Sequence, residues 1–332
     1  MLATHSIIIR RVYCAGGNRE ETFIMKTVAL LAKKLLGGIF VLIALVAICL
    51  ALLRSVPGGP FDTERIASPE IQAAMAARYG TDADYLTQLR RYLSGVFQGD
   101  FGPSFQYADF SVAELLRTAL PITLSLGALS LSLAWLSAVP VAMVAAANPS
   151  GRTATAVRAL STGLLSTPKF VTAPMLALLF ASTLHLLPSA GLGEPMWKYL
   201  LLPALALALT QFGMAVRVLL GSLLDAANSD ALKAARARGF GTLRIQTRHI
   251  LPVALPTALA FLLPSAVAVL TGSAVVEQVY ALPGLGRALV TSAFNRDYTL
   301  LLGVVVSCGI IVLIIGWLVE MLLLILDPRR RS

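Results

Sequence analysis

The chain has 332 residues, of which 57% are hydrophobic and only 13% charged, and its mean hydropathy is +0.78. A soluble domain carries about a quarter charged residues, so too little polar surface is left here for a water-soluble globule. Ordinary Gly, Pro and Cys contents (25, 17 and 3) exclude collagen, disorder and a disulfide scaffold. The net charge of +10 is then read not as a nucleic-acid footprint but as the basic residues that orient a helical membrane protein.

A bilayer core of roughly 30 Å takes about 20 helical residues. Six charge-poor windows meet that requirement. The first lies between Lys34 and Arg54. The second falls within the uncharged run from Thr118 to Gly151. The third runs from about residue 159 to 187 and is interrupted by Lys169, with Thr167-Pro168 just before it marking a broken helical turn. The fourth fits between Lys198 and Arg217, the fifth between Pro252 and Glu277, and the sixth between Asp297 and Glu320. Prolines at 140, 168, 174, 203, 256 and 264 sit inside or at the rims of these windows, which membrane bundles tolerate. The expected fold is an all-α membrane protein of six transmembrane helices. A β-barrel would need short alternating segments instead.

Most of the 27 Lys and Arg fall, span by span, on one side: Arg10, Arg11, Arg19, Lys26, Lys33 and Lys34; Arg152 and Arg158; Lys233 to Arg248; and Arg329 to Arg331. The other side collects acids between Asp62 and Glu114. The basic side is therefore expected to be cytoplasmic, with both termini inside. The first span is longer than a signal-peptide core, and LLRSVPGGP after it lacks a small-x-small cleavage site, so an uncleaved anchor is expected.

The organisation read from these features is a cytoplasmic extension at 1–34, a first span at 35–53, a periplasmic helical segment at 54–111, a core at 112–326 and a basic tail at 327–332. Residues 1–24 lack apolar periodicity, and Met25-Lys26 would open the chain naturally. The stretch before it is expected to be disordered or a mis-called start.

Two polar segments are long enough to carry function. The outer one holds EIQAAMAARYG and DYLTQLRRYLSGVF, both with helical spacing and both ending in turn residues. It reads as a pair of capping helices or as a docking surface. The inner one, at 221–251, has Ser229 or Asp230 as an N-cap and Ala231, Leu232, Ala234 and Ala235 on one helix face. Lys233, Arg236 and Arg238 lie on the other, and Gly239 supplies the exit. On spacing alone it is a lipid-surface helix or a partner-binding one.

The same inner segment carries a resemblance. ABC importer membrane subunits share a cytoplasmic E-A-A-x-x-x-G-x₉-I-x-L-P signature. Ala234, Ala235, Gly239, Ile250, Leu251 and Pro252 fall in its register, with Lys233 and His249 departing from it. Both departures resemble the peptide/nickel branch, as does the A-R-A-R-G run ending at Gly239. Val56 to Pro60, Gly99 to Ser104 (G-D-F-G-P-S), Leu120 to Leu124 (L-P-I-T-L), Leu187 to Gly191 (L-P-S-A-G), Glu277 to Tyr280, Pro283 to Gly286 and Arg296 to Tyr298 resemble further motifs of that branch, in order. The chain is thus similar, over roughly residues 26 to 328, to permeases of the oligopeptide, dipeptide and nickel importers.

That resemblance implies a type I ABC importer permease fold in the bacterial inner membrane. It also implies a second homologous permease, two ABC ATPase subunits, and a periplasmic or lipid-anchored solute-binding protein. Membrane lipid surrounds such a protein and nucleic acid has no part in it. Di- and oligopeptides lead as substrates; nickel chelates, glutathione and opine or sugar conjugates are the alternatives. The chain contains no G-x-x-x-x-G-K-[ST] loop, so ATP is expected on the partners and no cofactor, and no enzymatic activity, on this polypeptide. The ATPase-coupling residues implied are Asp230, Lys233, Ala234, Ala235, Arg236, Gly239, His249, Leu251 and Pro252.

Other residues are weighed on their own chemistry. Lys169 lies within an apolar span and either binds freed carbonyls or touches substrate. Thr210, Ser265, Thr271 and Ser273 are candidates to line an aqueous path. Glu277 is expected at the outer surface, paired with Arg287 or Arg296, and His249 as a hydrogen-bonding anchor of the inner loop. Three His and three Cys, scattered, make a metal or catalytic site an unpromising reading. An ion-driven secondary transporter is the alternative class, but it would place acids inside the spans, where almost none occur.

Overall fold

The computed structural model describes residues 33–55, 83–107, 110–227 and 240–326. Among these the protein is helical apart from loops and one antiparallel bridge between Pro103 and Ser111. Helix α1 (Lys33–Ser55) is followed by α2 (Tyr85–Phe97), α3 (Val112–Ala147), α4 (Arg152–Ser166) and α5 (Lys169–Leu176), which continues into π-helical turns at Ala177–Thr183. Then come α6 (Met196–Ala227), α7 (Thr242–Ile245), π-helical turns at Gln246–Ile250, α8 (Leu251–Leu259), α9 (Leu262–Val279), α10 (Leu285–Phe294) and α11 (Tyr298–Leu326).

Five of these helices, α1, α3, α6, α9 and α11, are long and apolar enough to cross a membrane; α4 and α5, bent by 100°, make a sixth if taken together. The bend has a local cause. Pro168 disfavours helical geometry at the residue before it, and Thr167 is extended (φ −86°, ψ 120°). Arg152 rather than residue 159 opens this pair. The fifth window also divides: α8 ends at Leu259 and α9 begins at Leu262. The helical spacing read at residues 84–97 corresponds to α2, capped by the Asp84 carboxylate. The other outer helical segment, EIQAAMAARYG, the extension before Lys33 and the basic tail lie outside the described residues.

Helix α3 begins with a reciprocal cap: Ser111 Oγ accepts from the Glu114 N–H, and the Glu114 carboxylate accepts from the Ser111 N–H at 2.9 Å. It then packs along α6, the most extensive helix pairing among the described residues. Small residues allow that close approach: Ala134, Ala138, Ala142 and Ala145 of α3 and Ala208 and Ala215 of α6 are all buried in one cluster. Ile245, Ile250, Ala254 and Ala258 join it, so the chain leaving the inner loop packs on the ends of α3 and α6. A second cluster joins Leu126, Leu202, Leu207, Val276 and Tyr280. A third, at the far end, joins Val112, Leu116, Leu285, Leu300 and Val304. Helix α1 packs at the periphery; its Lys34 forms an ion pair with Glu320 of α11.

Candidate coupling and latch sites

The loop end is organised by the segment from Phe240 to Pro252. Three of its side chains turn inward: Ile245 and Ile250 enter the apolar cluster, and Gln246 donates from Nε2 to the Met143 carbonyl of α3 at 2.9 Å. The intervening residues, Leu243, Arg244, Thr247, Arg248 and His249, are exposed. Phe240 is held between the Arg244 guanidinium, 4.7 Å from its centroid, and the His249 ring, stacked at 5.9 Å and 5°. Among the described residues His249 anchors the loop by stacking on Phe240, where a hydrogen bond is expected from the sequence. Leu251 is half-buried beside the cluster and Pro252 is exposed. Asp230, Lys233, Ala234, Ala235, Arg236 and Gly239 lie outside the described residues.

The far end is organised by two buried carboxylates. Glu277, near the end of α9, is fully buried rather than at the surface. Its Oε1 accepts from Thr123 Oγ1 at 2.8 Å and its Oε2 from the main-chain N–H of Arg287 at 2.9 Å, so the expected pairing with the Arg287 guanidinium is replaced by one with its backbone. Thr123 Oγ1 in turn accepts from the Leu285 N–H at 2.8 Å. The first turn of α10 leaves N–H groups without helical partners, and Glu277 and Thr123 supply them. Gly284 leaves room for this: a Cβ there would stand 2.5 Å from the Glu277 carboxylate. Gly286 lies against the Ala274 backbone, where a Cβ has no space.

Asp297 is the second buried carboxylate. It caps α11 through the Leu300 N–H at 3.1 Å, and it receives Ser104 Oγ, the Gln106 N–H (3.2 Å) and Thr299 Oγ1 (3.1 Å). This fastens the loop at 99–107 to the turn between α10 and α11. A third tie connects Tyr280, whose hydroxyl donates to the Ala173 carbonyl at 2.8 Å and whose own carbonyl accepts from Gly191 at 2.7 Å. A cavity of about 270 Å³ opens beside these latches, with Tyr107, Thr118, Arg287 and Asn295 in its wall.

Two of the candidate path residues, Lys169 and Thr271, meet at the Ala268 carbonyl of α9, to which Thr271 Oγ1 donates at 3.3 Å. Lys169 donates to the Ala268 carbonyl of α9 at 2.8 Å. Thr271 bonds the Val267 carbonyl of its own helix, and Ser273 the Leu270 carbonyl. Ser265 is buried, and Thr210 Oγ1 is buried without a hydrogen-bond partner among the described residues. Single-residue reasoning missed Thr123, Ser104 and Asp297. The signal was present in the motifs: L-P-I-T-L carries Thr123, G-D-F-G-P-S carries Ser104 and R-D-Y carries Asp297.

The long apolar helices define a multi-pass membrane protein. The chain belongs to the family of binding-protein-dependent transport system inner membrane components, whose sequence profile matches residues 138–332. It is 35% identical over 299 residues to the oligopeptide transport system permease protein OppB of Escherichia coli (strain K12), covering 90% of this chain and 98% of that protein. It is 30% identical to the dipeptide transport system permease protein DppB of Bacillus subtilis (strain 168), over 87% of this chain and 93% of that one. Among solved structures, a chain from the inward-facing MetNI methionine ABC transporter shares the fold, with a TM-score of 0.55 at 20% identity over 64% of this chain and 96% of its own. The resemblance read from the motifs is therefore borne out, and the chain is a multi-pass protein of the bacterial inner membrane.

Proposed function

We propose that this chain is one of two permease subunits of an ATP-driven importer of di- and oligopeptides. Six spans, counting α4 and α5 as one, cross the membrane with both termini in the cytoplasm. The permease pair sits on two ABC ATPases, one of which takes the cytoplasmic loop of this chain, and a solute-binding protein delivers substrate to the opposite face. The observation that carries the reading is the 35% identity extending over 98% of OppB, and the packing of the loop arm supports it.

Mechanistically, the loop segment that carries Asp230, Lys233, Ala234, Ala235, Arg236 and Gly239 seats in the ATPase. Closure of the ATPases on ATP pulls the arm containing His249, Leu251 and Pro252. Because Gln246 holds the Met143 carbonyl and Ile245 and Ile250 are embedded against α3 and α6, the pull reaches those helices as a rigid-body rearrangement between two packings. Exposed charge pairs at such a contact contribute at most about 1 kcal/mol each, so shape at the small residues dominates. ATP binds the partner subunits.

The test is reconstitution of the chain with its partner permease, ATPases and binding protein in liposomes, measuring uptake of a radiolabelled tripeptide. ATP-dependent uptake is expected. Uptake that ignores ATP and follows an imposed proton gradient would overturn the reading.

A further inference from the structure

Helices α4 and α6 enclose a groove of about 340 Å³ at the loop end, apart from the latches and bordering the apolar cluster that the loop arm joins. Its wall holds two arginines, Arg158 and Arg217, with Thr162 between them and Val216, Leu220 and Leu224 as apolar floor. Among the described residues, no acidic one lines it. Arg158 makes one bond, to the Pro149 carbonyl at 3.0 Å, and Arg217 makes one, to Thr162 Oγ1 at 3.1 Å. A guanidinium carries five N–H donors in a planar fork that suits a phosphate or carboxylate. Among the described residues, neither arginine has an acidic partner.

Depth identifies the ligand. Lys198 and Arg217 bracket a charge-free stretch of α6 about 27 Å long at 1.5 Å per residue, close to the thickness of the hydrocarbon core. Arg217 therefore stands at the level of the headgroup phosphates. Arg158, near the Pro149–Gly151 turn, stands about a turn further out. A groove at that level, doubly basic and apolar on its floor, fits a lipid whose headgroup is anionic.

We propose that the α4–α6 groove binds an anionic phospholipid, its phosphate held by Arg158 and Arg217 and its glycerol and upper acyl segment lying over Val216 and Leu220. In the orientation proposed above, the lipid belongs to the cytoplasmic leaflet. The site does not depend on which solute is carried.

The test uses the whole transporter purified in mild detergent, with phosphatidylglycerol or phosphatidylcholine added and retained lipid counted by native mass spectrometry. Phosphatidylglycerol is expected to be retained over phosphatidylcholine. The Arg158→Gln/Arg217→Gln pair should cut its retention on the order of tenfold. The Arg90→Gln/Arg91→Gln pair on α2 should leave it unchanged. An Arg158→Lys/Arg217→Lys pair, which keeps the charge, should restore most of it, separating lost binding from lost folding. Equal retention by the Gln pair, displacement by millimolar inorganic phosphate, or displacement by a tripeptide would each overturn the proposal. The same holds if a photoactivatable phosphatidylglycerol labels α4 in the isolated chain but not in the assembled transporter, because the partner permease would then cover the groove.

Discussion

The Thr123 hydroxyl stands between Glu277 and Leu285, donating to the carboxylate at 2.8 Å and accepting from the backbone N–H at 2.8 Å. One side chain of α3 thereby joins the end of α9 to the start of α10, all three groups being buried. A buried donor or acceptor left without its partner costs about 1–3 kcal/mol. Thr123→Val keeps the shape and removes both bonds, so a lower melting temperature is expected in a detergent thermal-shift assay. Thr123→Ser should recover most of it.

Gly286→Val is expected to destabilise the same corner by a different route. Its side chain has no space against the Ala274 backbone, and overpacking of this kind costs about 1–3 kcal/mol. Reduced recovery of folded protein in size-exclusion chromatography checks the prediction, and a wild-type profile would contradict it.

Asp297→Ala removes the acceptor shared by Ser104, Gln106 and Thr299. The loop at 99–107 should then open to protease more often than the helices beside it. Limited proteolysis with peptide mapping reads this directly, as faster cleavage within that loop and unchanged cleavage elsewhere.

Phe240→Ala breaks the stack with His249 and the contact with Arg244. Aromatic pairs contribute about 0.5–1.5 kcal/mol beyond area, too little to unfold the chain but enough to loosen the arm. In the reconstituted transporter, tripeptide uptake per ATP hydrolysed should fall, with His249→Phe close to wild type. Ala235→Glu and Gly239→Val should uncouple more completely while leaving the protein in the membrane. Unchanged uptake by these variants would remove the coupling role assigned to the loop.

Much of the fold is legible because the bilayer demands long charge-poor segments, and Lys34, Arg54, Lys198 and Arg217 punctuate them. The break at Thr167-Pro168 is legible for a steric reason local to two residues. The site is less so. A buried glutamate can be satisfied by a guanidinium or by main-chain N–H groups, and composition does not distinguish them. Glu277 chose the backbone of α10, which only the approach of α9 to Gly284 and Gly286 brings within reach. Likewise His249 is paired with Phe240 by the path of a turn that no periodicity encodes. The motifs marked the latch residues without disclosing that Thr123, Glu277 and Leu285 meet.

The interruption at Ala260–Phe261, between α8 and α9, acquires meaning from what flanks it. On one side α8 is embedded with the loop arm against α3 and α6. On the other, Glu277 welds α9 to α10. Stiffness is thus distributed unevenly along the chain, as two rods sharing one joint. A torque applied at the loop has two routes to the far latches: by swivelling at this joint, or along α3, which meets the loop arm at Met143 and the latch at Thr123.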